Sequence, residues 1–187
     1  HWVFPYAGTA EDPEARWKVD ADLMQNAGMN VVRIGEFSWG FCEPEEGKFN
    51  FGWLKRAMDV MGKAGIKVVL ATPTAAPPIW LAKKHPELLP RNQHGLPLHE
   101  GTRHAVCLNC DVYWDHSKKI IREMAGALGQ HPQLIAWQID NNIGGHTQQY
   151  SFNEEARNDW HAWLEAKYQT VEKLNELMGT RFWSQNI

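Results

Sequence analysis

In Ile135-Ala-Trp-Gln-Ile-Asp-Asn-Asn-Ile-Gly-Gly-His146 a short apolar, β-branched run breaks into a cluster of polar side chains and then two glycines. The pattern predicts a buried strand that delivers polar groups at its carboxyl end. The same design occurs twice upstream. Asn30-Val-Val-Arg-Ile-Gly35 leads into Glu36, Phe37 and Trp39, and Ile66-Lys-Val-Val-Leu-Ala71 leads into Pro73-Thr-Ala-Ala-Pro-Pro-Ile-Trp-Leu81. His1 to Tyr6 is also strand-like.

Helical periodicity fills the intervals. A helix is predicted from Glu11-Asp-Pro-Glu14, with Val19, Leu23 and Ala27 on its apolar stripe and Gly28 as its stop. Leu54, Ala57, Met58 and Met61 mark a second helix, closed by Gly65, and Ile120, Ile121, Met124 and Leu128 a third. Phe152, Ala156, Trp160, Trp163 and Leu164 mark a fourth, with Trp160 and Trp163 expected in the core, and a last short helix spans about Val171 to Met178. The long polar connection from Lys83 to Cys110 carries four of the nine histidines and Arg103. Loops of that length in a compact domain are usually functional or disordered.

Serial βα units belong to the open doubly wound sheet or to the closed eightfold barrel. No Gly-rich phosphate-binding turn follows the first strand, and polar residues follow several strands, as in barrels. The predicted fold is therefore α/β, a (β/α)8 TIM barrel with about the first four βα units present, so that residues 1–187 form the amino-terminal half of one catalytic domain. Half a barrel leaves open strand edges, so the chain is expected to continue past Ile187 or to close by self-association as a homo-oligomer. It opens at His1-Trp-Val-Phe-Pro5 without Met or leader, as though cut from something longer.

Composition narrows the function. With 43% apolar residues the chain can bury a core, and a net charge of −3 from mixed acids and bases gives no stripe for nucleic acid and no polybasic membrane anchor. No run reaches the roughly 18 apolar residues of a spanning helix. Cys42, Cys107 and Cys110 are too few for a disulfide framework, which favours a reducing, cytoplasmic compartment. Ten tryptophans serve either core packing or stacking on sugar faces.

Several ordered segments resemble the family 42 glycoside hydrolases, β-galactosidases built on a (β/α)8 barrel. They are Asn30 to Trp39, Glu43-Pro-Glu-Glu-Gly-Lys-Phe-Asn-Phe51, Ala71 to Leu81, Arg103-His104, Trp137-Gln-Ile-Asp-Asn141 and Leu174 to Gln185. The resemblance implies retaining hydrolysis of terminal β-galactosides in the intact protein, acting on a galactoside or oligosaccharide at the carboxyl ends of the strands. No cofactor is expected. In the family the fourth strand ends in Asn-Glu, where Asn binds the sugar's 2-hydroxyl and Glu is the acid/base.

Here that pair is Asn141-Asn142. Asn142 occupies the acid/base position, and an amide cannot donate and recover a proton at neutral pH. The nucleophile lies on a later family strand, outside this chain, so the chain alone is expected to be inactive. A non-catalytic carbohydrate-binding relative is the alternative.

The resemblance also makes Arg103 a substrate contact, against the commoner fate of a loop arginine in an ion pair. Glu36 is counted with the substrate-binding positions, paired with Arg33 to shape the pocket. Trp39 and Trp80 are expected to end strands and wall that pocket. Asp140 is expected to be a structural carboxylate behind the sheet, with proton donation the rival role; His146, Glu154 and Glu155 are weaker candidates from the following loop. Cys107-Leu-Asn-Cys110 beside His104 looks like half a zinc site. Some family members complete such a site with a C-x-C-x-x-C cluster after the acid/base, but His146 to Asn158 contains no cysteine. No metal is expected.

Overall fold

The computed structural model describes residues 13–101, 103–143 and 150–180. The strand expected at His1–Tyr6, the helix start at Glu11 and Asp12, His146, and the end of the last family-like segment from Arg181 lie outside the described residues.

Three short strands, β1 (Val31–Ile34), β2 (Lys67–Ala71) and β3 (Leu134–Gln138), form one parallel sheet in the order β1-β2-β3. Val32 pairs with Val68 and Ile34 with Leu70, while β2 meets β3 across an irregularity between Val68 and Val69. Parallel neighbours require crossovers, and helices supply them. Helix α1 (Pro13–Asn26) precedes β1, and a single-turn α2 (Trp39–Cys42) follows it. Helix α3 (Gly52–Lys63) then returns the chain to β2. The crossover to β3 holds α4 (Ile79–Lys84) and α5 (Asp111–Leu128); α6 (Glu154–Tyr168) and α7 (Val171–Met178) come after β3.

Alternation along the strands decides which face is covered. Val32, Ile34, Val68 and Leu70 are buried against Leu54, Ala57, Met58 and Met61 of α3 and Ile120, Met124 and Leu128 of α5 in one core. Val31 and Lys67 on the opposite face are exposed. The expected α3 and α5 stripes are those observed, with Ile121 at the margin.

Other expectations need correction. In α1, Val19 and Leu23 are 50% and 61% exposed, and Trp17 and Ala21 are the residues that enter the core, with Met24 packed beside them. An indole buries more apolar area than a valine, so Trp17 selects the inward stripe. Trp160 and Trp163 are exposed rather than core. They stack on each other at 5.0 Å, and α6 joins α7 through a separate small cluster of Leu164, Tyr168 and Leu174. Nor is β3 a buried strand. Among the described residues it pairs only with β2, leaving Ile135 53% exposed and the following Ile139 more so.

The long connection is built, not loose. His104 N–H donates to the Ala75 carbonyl and Cys107 N–H to that of Leu88, while the Asn153 side chain bonds the backbone of Glu87, Leu89 and Arg91.

Gly35 lets β1 turn into the functional rim. Its φ is +103°, and a Cβ there would lie 3.1 Å from the Ala71 carbonyl oxygen and 3.2 Å from Leu70 Cδ1. Gly28 also has a positive φ, +76°, but nothing lies within 4 Å of its Cβ position. Gly28→Ala should therefore cost about 1 kcal/mol from backbone strain alone. Gly35→Ala adds a clash and should cost more than about 2 kcal/mol. Equal shifts of the two urea midpoints would contradict this account.

Candidate active site

The carboxyl ends of β2 and β3 converge on one buried carboxylate. Asp140, two residues past β3, is 7% exposed. Its Oδ2 accepts from Thr74 Oγ1 at 2.9 Å and from Tyr113 OH at 3.4 Å, and its Oδ1 accepts from the Asn141 N–H. Thr74 sits in a single 3-10 turn (Pro73–Ala75) just past β2, and Thr72 Oγ1 accepts from Asp140 N–H at 2.8 Å. Tyr113 reaches in from the first turn of α5. A buried carboxylate needs this many donors to offset its lost hydration. The same bonds lock β2, α5 and β3 together.

Asn141 is held on three sides. Its N–H goes to Asp140, its carbonyl accepts from His104 Nε2, and its Oδ1 accepts from Gln138 Nε2 at 3.1 Å. A carbonyl only accepts, so His104 Nε2 is the donor in that bond, and Nδ1 lies 3.9 Å from Asp140 Oδ1. Asn142, next along, is exposed. His104, Asp140 and Asn142 all have φ between 53° and 54°, the left-handed region that Asn and Asp tolerate better than most side chains.

The other expected site residues divide. Glu36 lies just past β1, 1% exposed, and accepts from Arg33 Nε at 2.7 Å, which gives the expected ion pair with a half-exposed arginine. Arg103 lies over the Phe37 ring at 4.6 Å and lines a cleft of about 540 Å³ with Phe37, Phe41, Pro78 and Trp80. Asn141 and Asn142 are not among that cleft's lining residues.

Trp39 is a correction. It is fully buried in α2, its Nε1 donates to Glu43 Oε2 at 2.9 Å, and its ring faces Tyr113 at 6.5 Å. It supports the site from behind and has no exposed surface to offer a sugar. Trp80 does line the cleft, from α4 rather than from a strand end, with Nε1 donating to the Glu43 carbonyl. Glu154 and Glu155 open α6 and are exposed, where the helix dipole favours acids. Both Asp140 oxygens are engaged by protein donors, as a structural carboxylate's would be.

The residues that sequence reasoning missed are Thr72, Thr74 and Tyr113. Two threonines two apart, just past a strand, were the only available signal. Among the described residues no group of three or more His, Cys, Asp or Glu side chains is arranged to hold a metal ion. Cys42, Cys107 and Cys110 are all buried free thiols. No helix among the described residues is long and apolar enough to cross a membrane.

Comparison with known proteins gives this rim a family. The sequence profile of glycoside hydrolase family 42, described as beta-galactosidase, matches residues 10–187. The chain belongs to glycoside hydrolase family 42. Within it, the chain is 43% identical over 167 residues to a beta-galactosidase of an Arthrobacter species and 41% over 173 to one of Thermus thermophilus, 89% and 92% of this chain. It spans about a quarter of those relatives, 24% and 27% of their lengths.

Two solved beta-galactosidases superpose closely. That of Halorubrum lacusprofundi has a TM-score of 0.89 at 34% identity, over 99% of this chain and 27% of that one. That of the psychrophilic Marinomonas ef1 has 0.85 at 37%, over 94% and 27%. The three parallel strands and their helices are thus the amino-terminal part of a family 42 (β/α)8 barrel.

Burial around the site sets its response to alkali. Tyr113 is pushed above its ordinary range chiefly by burial and then by the Asp140 charge, and burial pushes the Cys42 thiol up to about 12. Both groups keep their protons longer when folded, so the unfolded chain loses protons first and stability falls as pH rises. Denaturant stability should decline from about pH 9 upward, at first through Cys42 and from about pH 10 also through Tyr113. Tyr113→Phe should flatten the second part of that decline. An unchanged alkaline slope in the Phe variant would show that Tyr113 is not the titrating group.

Proposed function

We propose that the chain is the amino-terminal half of the catalytic barrel of a β-galactosidase-like retaining glycoside hydrolase, with Asn141 a ligand of the sugar and Arg103 a contact from the rim. One observation carries the reading most directly. Asn141 has its backbone N–H, backbone carbonyl and side-chain oxygen all bonded by protein groups at the carboxyl end of a parallel barrel strand, the end where barrels of this type assemble their sites. Investing three bonds in one asparagine is preorganisation of a kind that ligand contacts need. Glu36, itself out of solvent, holds Arg33 at the same rim.

Retaining hydrolysis needs two carboxyl groups roughly 5–5.5 Å apart. The acid/base of this reading falls at position 142, where the chain has an amide, and the nucleophile comes from sequence beyond this chain. The native protein would then depend on another group, or on a substrate with a good leaving group, to release the aglycone. The substitution at Asn142 is also the observation that favours a second reading, a carbohydrate-binding relative that keeps the pocket without the chemistry.

The test is hydrolysis of an aryl β-galactoside and of lactose by the intact protein and by its Asn142→Glu variant. The enzyme reading predicts turnover of the aryl substrate by the native protein. It also predicts a gain in lactose hydrolysis of about 10²-fold or more in the Glu variant, the usual contribution of a general acid. Galactoside binding with no turnover by the native protein, and turnover only by the variant, would establish the binding-only reading.

A further inference from the structure

The Asn141 carboxamide can present either of two edges to a ligand, an oxygen that accepts or an NH2 that donates, and the neighbouring bonds select one. Gln138, the last residue of β3, donates from the same nitrogen, Nε2, to the Asp140 backbone carbonyl at 2.7 Å and to Asn141 Oδ1 at 3.1 Å. A backbone carbonyl has no proton to give, so the Asp140 carbonyl fixes which end of the Gln138 amide is nitrogen. The second hydrogen on that nitrogen then fixes which end of the Asn141 amide is oxygen.

With its N–H, carbonyl and Oδ1 all used, Asn141 retains Nδ2, which makes no hydrogen bond among the described residues. We propose that Gln138 is a positioning residue that sets the polarity of the sugar contact, locking Asn141 as a hydrogen-bond donor toward a hydroxyl oxygen of the bound sugar. The inference rests on the reading of Asn141 as the sugar ligand and deepens it. Gln138 touches no ligand itself and acts through the orientation of its neighbour.

The site then recognises an oxygen that accepts. In retaining hydrolysis the 2-hydroxyl is the group whose hydrogen bonds strengthen in the transition state, and this makes it the oxygen to test. Reversing the donor should reverse the amide. In Gln138→Glu the carboxylate accepts only, so Asn141 turns its NH2 inward and offers its oxygen to the ligand.

Calorimetric titration of the intact protein with methyl β-galactoside and with its 2-deoxy counterpart reads this directly. The wild-type protein should prefer the hydroxylated sugar by about tenfold, the size of one hydrogen bond. In Gln138→Glu the preference should collapse to within about twofold through loss of affinity for the hydroxylated sugar, with the 2-deoxy affinity nearly unchanged. A variant that merely loosens the fold would weaken both sugars alike, which would overturn the inference. Gln138→Met, uncharged and close in volume, frees the Asn141 amide to turn; a full tenfold preference retained in either variant would also overturn it. If the wild-type protein binds neither sugar, or binds both equally, the reading of Asn141 as the sugar ligand falls and the inference falls with it.

Discussion

A buried carboxylate has to be surrounded by donors, and the rim of this sheet is organised by that requirement at Asp140. An ion taken out of water costs several kcal/mol, roughly, unless its lone pairs are filled. Here the fillers come from separated parts of the chain: Thr74 past β2, Tyr113 on α5, and the Asn141 N–H next in sequence. Because the donors are distant in sequence, satisfying the charge closes two long connections at once. His104, pinned by its own N–H to Ala75, adds the bond to the Asn141 carbonyl. The network closes around the Asn141 side chain, which is itself buried.

A second buried acid does the same work just past α2. Glu43 is fully buried; its carboxylate accepts from Trp39 Nε1 and Gly47 N–H, and its carbonyl from Trp80 Nε1. It therefore ties α2, the turn that follows it and α4 into one body. The two bodies meet where Trp39 packs against Tyr113. A change at Trp39 would reach Asn141 only through Tyr113 and Asp140.

Much of this was legible from the chain alone, for identifiable reasons. Strands bounded by turn residues and helices with strong periodicity, such as Leu54–Met61 and Ile120–Leu128, announce themselves because one period dominates. The stripe of α1 misled because Val19 and Leu23 follow helical spacing as well as Trp17 and Ala21 do, and only the packed sheet decides between them. Ile135 and Trp160 misled differently. Apolar character predicts that a residue seeks cover, and the cover here is not supplied by the described residues. Of the candidate site, Asn141, Asn142 and Arg103 stand in a pattern readable from the chain, whereas Thr72, Thr74 and Tyr113 are ordinary residues whose bonds to Asp140 exist only once β2 and α5 lie beside β3.

The backbone at position 142 bears on why an amide stands there. Asn142 has a φ of 53°, two residues after Asp140 in the same region. Asn is among the few non-glycine side chains that visit this conformation readily, while a residue such as Glu would bear a strain of about 1 kcal/mol or more. On the reading proposed above, an amide at 142 forgoes the acid but suits the left-handed backbone, and the Asp140 network stands beside it. If the native protein does hydrolyse galactosides, its proton donor must come from a direction that leaves this turn undisturbed.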